Sequence, residues 1–171
     1  MNIMMKIKYH FEDFTEKTYI NLIKLAKTNY KLVSFSEYKT KGKICIWRHD
    51  VDFSVHRALT MARIEYNENV QSTYFFTLHS NFYNVFEKEI TQLIFKIIDY
   101  GHAIALHCDP SYYSSPAQLD NGLEYHLRAE KEILEKLFRV PIESMSFHSP
   151  EIGGYTNLNR ECLCRARVKR C

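Results

Sequence analysis

Four short runs of β-branched and aromatic residues alternate with helix-length amphipathic stretches, and this repeated order restricts the fold more than any other feature. KICIW (43–47), STYFFTL (72–78), AIALH (103–107) and SMSFH (144–148) read as buried strands. Between them, Ser54 can cap a helix running to about Asn69. Asn84 to Tyr100 has helical spacing and stops at Gly101, and 121–139 is a further helix that Pro141 ends. Leu127, Ile133, Leu134 and Leu137 are the expected apolar positions of that last helix. An earlier helix is expected over 14–28, followed by a short extended stretch, KLVSF. Strands joined by connections this long pair in parallel through right-handed crossovers. The expected fold is therefore α/β, with parallel strands in a distorted or incomplete (β/α) barrel. A chain of 171 residues is too short for the closed eight-unit form, which takes roughly 200 residues or more.

Composition agrees with one packed domain. The chain is 46% hydrophobic and 25% charged with only 5 Gly and 4 Pro, which excludes a disordered or low-complexity polypeptide. No apolar run approaches the roughly 18 residues of a membrane span, and charged or polar residues interrupt the start, MNIMMKIKYHFEDF. No secretory signal is read there, so a cytoplasmic location is expected. The net charge of +3 is concentrated in residues 160–171, which carry five Lys/Arg against one Glu. The remainder is close to neutral, which argues against a nucleic-acid-binding face. That basic end also holds Cys162, Cys164 and Cys171. The odd, clustered set argues against a disulfide framework, and no second Cys/His pair sits at zinc-finger spacing. Residues 1–159 are expected to form one domain and 160–171 an unstructured tail.

Chemistry-bearing residues collect where the strands end, which is where parallel α/β folds place their ligands. The first strand runs into Arg48-His49-Asp50-Val51-Asp52, the second ends at His79, the third at His107-Cys108-Asp109 and the fourth at His148-Ser149-Pro150. Asp50 and Asp52 share a side, since residues i and i+2 of an extended chain point the same way. Two carboxylates this close need a cation or hydrogen-bond donors. With His107 they make a His/carboxylate set suited to a divalent ion such as Zn²⁺. One Asp could hold the metal while the other accepts a proton from water. The plainer alternatives are an aspartate cluster capping the Ser54 helix and a hydrogen-bonded core histidine. Cys108 points away from His107 along the strand, so a Cys–His dyad is poorly set up.

RHDVD at 48–52, STYFF at 72–76, GHAIALHCD at 101–109 and SFHSP at 146–150 resemble the motifs of polysaccharide deacetylases, carbohydrate esterase family four. The branch with an HDVD first motif, often associated with surface polysaccharide biosynthesis, is the most similar. The resemblance covers roughly residues 43–150. It implies a distorted (β/α) barrel, a divalent metal, commonly zinc, and removal of an acyl group from an N-acetylated sugar of a surface polysaccharide or its precursor. By position, Asp50 matches the catalytic base, Asp52 the metal-binding aspartate and His107 the first metal histidine. The family's second metal histidine falls at Ser111 here, so Asp109 or His148 is expected to replace it. Arg48, His79 and Pro150 are candidates for contacting the sugar. SFHSP lies where the family has an Arg-x-Pro-like motif, with His148 in place of Arg. The late Leu-x-His motif that supplies the family's catalytic acid has no match after residue 150, and His148 is the stand-in considered for it. The expectation is a chain shortened at its C-terminal end, through a shifted reading frame near 157–160. A carbohydrate-binding remnant with little or no activity is the alternative function.

Overall fold

The computed structural model describes residues 13–113, 122–148 and 169–170. Helix α1 (Glu16–Asn29) is opened by Thr15, whose hydroxyl accepts the Thr18 N–H at 3.2 Å. There follow β1 (Lys31–Leu32), a 3-10 turn (Phe35–Glu37), β2 (Ile44–Cys45), β3 (Arg48–Val51), α2 (Val55–Asn67), β4 (Thr73–Phe76) and α3 (Lys88–Asp99). Then come β5 (Ala103–Cys108), a second 3-10 turn (Pro110–Tyr113), α4 (Gly122–Phe138), β6 (Ser144–Phe147) and β7 (Lys169–Arg170).

Among the described residues every strand pairing is parallel. β1 pairs with β2, and β3-β4-β5-β6-β7 form a second sheet in sequence order. The sheet curls as half of a barrel, so the structure has the expected α/β, parallel-stranded character. In the basic end, where the sequence reading expects no structure, Lys169–Arg170 lie parallel to β6. An open strand edge offers unpaired backbone groups that such a segment can satisfy.

Three elements differ from the sequence reading. Of KICIW, read as a buried strand, only Ile44–Cys45 form one, half-buried and paired with β1 outside the five-stranded sheet. The polar run after KICIW is itself strand, because Arg48–Val51 pair in register with Thr73–Phe76. Helix α3 begins at Lys88 rather than Asn84. The Asn84 carboxamide instead accepts the Phe86 N–H at 3.0 Å, which closes a local turn ahead of the helix. Its other end is as read: Gly101 has φ +85°, a left-handed conformation that stops α3 with its N–H on the Ile98 carbonyl at 2.8 Å.

Alternation along the strands sorts the two sheet faces. Val51, Tyr74, Phe76, Ile104, Leu106, Cys108 and Met145 face the helices and form the main core. Helix α3 packs there through Ile90, Ile94 and Ile97, one helical stripe. Full burial of a side chain such as Ile94 contributes roughly 1.5–3 kcal/mol. The stripes of the other two helices are interrupted by acid. Helix α2 buries Val55, Ala58, Ala62 and Glu65, and α4 buries Leu123, Leu127, Glu130, Leu134 and Phe138, while Ile133 turns outward. Alternation puts Arg48, Asp50, Phe75, Ala105, His107, Ser144 and Ser146 on the opposite face of the sheet.

Candidate metal centre

The strand ends are pinned before any ligand is considered. The Tyr83 hydroxyl donates to the Val51 carbonyl at 2.7 Å and accepts the Thr77 N–H at 3.1 Å, so it ties the end of β3 to the residue after β4. The Ser80 hydroxyl donates to the Asp52 carbonyl at 3.3 Å. The His148 N–H donates to the Cys108 carbonyl at 2.8 Å, which holds His148 beside the end of β5. These bonds place Asp52, His107 and His148 together from three strands whose residues lie far apart in sequence.

The three side chains converge on one point. Asp52 Oδ1 is 3.1 Å from His107 Nε2 and 3.3 Å from His148 Nδ1, and the two nitrogens are 3.3 Å apart. Donors bound at about 2.0–2.1 Å to one tetrahedral ion stand about 3.3 Å from each other, so the spacing fits such an ion. Asp52 Oδ1 is moreover buried and accepts no hydrogen bond. A buried, unpartnered carboxylate oxygen is costly unless something positive meets it. Among the described residues this triad is the one group of three metal-ligating side chains brought together in this way.

The far side of His107 strengthens the arrangement. Its Nδ1 lies 2.7 Å from Ser146 Oγ, whose hydroxyl donates to Asp50 Oδ1 at 3.4 Å. Since Ser146 gives its proton to Asp50, it accepts one from His107 Nδ1, leaving the Nε2 lone pair aimed at Asp52 and His148. Metal-binding imidazoles are commonly fixed in this way through their second nitrogen. Burial, which disfavours a charged ring, holds the His107 pKa below its ordinary value despite the charges of Asp50 and Asp52. His148 and Arg48 nearby add to the lowering, and a neutral ring is the form that binds metal.

Asp50 and Asp52 do lie on one side, as their spacing implies. Asp50 is gripped by the Arg48 guanidinium, which also stacks 4.5 Å over the Phe75 ring. Arg48 is thus occupied with Asp50. Asp109 is not part of the converging triad: its carboxylate accepts the Ser111 N–H at 3.0 Å and the Ser111 hydroxyl at 2.6 Å. It does line a cavity of about 120 Å³ beside the triad, together with Asp52, Phe53, Thr77, His79, Ser80, Asn81, Phe82 and His148. Pro150 lies outside the described residues.

His49, which the chain carries among the polar residues of the first strand, points the other way. Its Nε2 meets Glu65 Oε1 at 2.5 Å under the helices. Glu65 also accepts from the hydroxyls of Tyr19, Ser72 (2.5 Å) and Tyr74 (2.7 Å). Burial alone would raise its pKa, but the His49 hydrogen bond and charge, with Ser72 and Tyr19, leave it lowered. His102, another core histidine, bridges α2 and the residue that precedes β4: Nε2–H donates to the Ala62 carbonyl at 2.9 Å, and Nδ1 accepts the Ser72 N–H at 3.2 Å. Cys108 is buried on the helix side, and burial pushes its thiol far above the usual range, so it is no nucleophile.

Among the residues that escaped the sequence reading are Glu65 and Glu130. Each stands in the buried stripe of its helix where an apolar side chain would be ordinary. An acid at core spacing was the available signal.

Neither the protein-family models nor the curated proteins compared with the chain give a match.

Proposed function

We propose that the protein is a metal-dependent hydrolase that removes the acyl group from an N-acetylated sugar of a surface polysaccharide or its precursor. The observation that carries the metal part of the reading is the convergence of Asp52 Oδ1, His107 Nε2 and His148 Nδ1 at tetrahedral spacing around an unpartnered buried oxygen. The motif resemblance in RHDVD and GHAIALHCD supports the acyl-sugar part. Zinc suits one carboxylate and two imidazoles, and three protein ligands leave the fourth position for chemistry.

A divalent ion in the triad would supply Lewis acidity, making a water nucleophilic near neutral pH and offsetting charge that develops on the carbonyl oxygen. Asp50 is the residue that would take the proton from water, since it stands two positions from Asp52 and is held by Arg48 and Ser146. Asp52 and His107 then keep the roles their positions imply, and His148 completes the ligand set rather than acting as an acid.

The test is elemental mass spectrometry on full-length protein purified without added metal, for the wild type and for Asp52→Ala and His107→Ala, followed by acetate release from N,N′-diacetylchitobiose. Near-stoichiometric metal in the wild type, lost in both variants, together with acetate release is the expected result. Wild-type protein that holds no metal even after zinc is supplied would overturn the reading.

A further inference from the structure

Amide hydrolysis needs a proton for the departing nitrogen, and none of the groups assigned above delivers it. His79 is built for that task. It follows β4 and lines the cavity that Asp52 and His148 also line. Tyr112 stacks on its ring at 3.6 Å between centroids and 8° between planes, and Tyr113 meets it edge-on at 5.6 Å, so the imidazole is held between two aromatic rings. Its Nε2 lies 2.9 Å from the Tyr113 hydroxyl and 3.1 Å from Glu130 Oε1. Tyr113 itself donates to Glu130 Oε1, and burial beside that carboxylate keeps its phenol neutral. With Nε2 engaged by Glu130 and Tyr113, Nδ1 is the nitrogen left without a hydrogen-bond partner among the described residues.

Glu130 is the less expected member. Its side chain is 3% exposed, and Oε2 is buried with no hydrogen-bond partner. It occupies the α4 stripe between Leu127 and Leu134. For packing alone, a leucine there would avoid the cost of a buried, half-satisfied carboxylate. A carboxylate behind an imidazole is useful where the ring carries positive charge during a reaction, because it fixes the ring and stabilises the imidazolium.

We propose that His79 is the catalytic acid of the site and that Glu130, with Tyr113, is its positioning partner; this rests on the hydrolase reading above. As the carbon–nitrogen bond breaks, its electron pair goes to nitrogen, and nitrogen takes the proton from His79 Nδ1. The imidazolium becomes neutral imidazole with Nε2–H still on Glu130. The proton Asp50 removed from water balances the one His79 gives up, and exchange with solvent resets both groups. The products are a free carboxylic acid and a free amine.

The experiment uses full-length, zinc-loaded protein and two probes with different needs. N,N′-diacetylchitobiose loses an amine that must be protonated, whereas 4-nitrophenyl acetate loses a phenolate that leaves unaided. Wild type, His79→Gln, Glu130→Gln and Tyr113→Phe are compared by the ratio of amide to aryl-ester turnover, with zinc content measured on each. The ratio should fall by about 10²–10⁴ in His79→Gln, the usual worth of a positioned acid, with zinc content unchanged. It should fall by a smaller factor in Glu130→Gln. An unchanged ratio in a His79→Gln protein that still holds zinc would overturn the proposal and leave the hydrolase reading standing. Wild-type protein that hydrolyses neither probe, or the ester alone, would sink the hydrolase reading and this proposal with it.

Discussion

Replacing Ser146 by alanine tests the candidate metal centre without touching any of its three ligands. His107 is 2% exposed, and its Nδ1 has Ser146 Oγ as its partner at 2.7 Å. When Nε2 holds a metal, Nδ1 must carry the proton. Without Ser146 that N–H becomes a buried donor with nothing to meet, a cost of about 1–3 kcal/mol. In the metal-free protein the ring can escape by moving its proton to Nε2, where His148 Nδ1 lies within hydrogen-bond distance at 3.3 Å. The penalty therefore falls on the bound state. A loss of about 1.4–2.7 kcal/mol corresponds to zinc affinity weakened 10–100-fold, in line with other partners of metal-bound histidines. A competition titration against a chromophoric chelator near neutral pH measures it, with unfolding by denaturant showing that the fold is kept. Zinc affinity equal to the wild type in Ser146→Ala, with Asp52→Ala abolishing binding, would refute the tautomer reasoning.

Further outcomes follow from the same geometry. Asp109→Ala should leave zinc affinity within about threefold, since its carboxylate serves Ser111 and a change near tenfold requires about 1.4 kcal/mol; a loss as large as that of Asp52→Ala would make it a ligand. Glu65→Leu strands the donors of Tyr19, His49, Ser72 and Tyr74 and should cost about 3–5 kcal/mol in denaturant unfolding, as breaking a buried charged pair does; an unchanged midpoint would count against that network. Burial lowers the His102 pKa below 6.5, despite the Ala62 hydrogen bond and the Glu65 charge, so the unfolded chain binds the proton more tightly. Stability of the metal-free protein should therefore decline as pH falls below about 6.5 towards that lowered value, with His107 acting in the same direction. Glu65, whose folded pKa is lowered from 4.5, adds a second loss only in stronger acid. Unfolding midpoints measured across this range should flatten in His102→Gln, and an equally steep fall there would assign the effect elsewhere.

Much of the architecture was legible because its signals are local. Strand composition, helical spacing, the Ser54 cap and the Gly101 stop each depend on a few neighbouring residues, and the structure has them. The gathering of Asp52, His107 and His148 at the strand ends was likewise readable, because parallel strands put their C-terminal residues at one edge. Boundaries were less so. Arg48–Val51 read as the polar continuation of a strand ending at Trp47, until β4 lies alongside and pairs with them instead.

What the sequence by itself determined is the alternation of strand and helix, the parallel α/β class and the identity of the residues delivered to the strand ends. What tertiary structure alone decided is which of those residues meet. His49 and Asp50 are neighbours in the chain, yet alternation sends one to Glu65 beneath the helices and the other to Arg48 and Ser146 on the opposite face. Whether His148 or Asp109 joins Asp52 and His107 depends on how β6 registers against β5 and on a turn that gives Asp109 to Ser111. Glu130 finds His79 51 residues away, across a contact set only when α4 packs. Periodicity is a property of one segment, whereas a partner is a property of two segments whose relative placement the whole core sets.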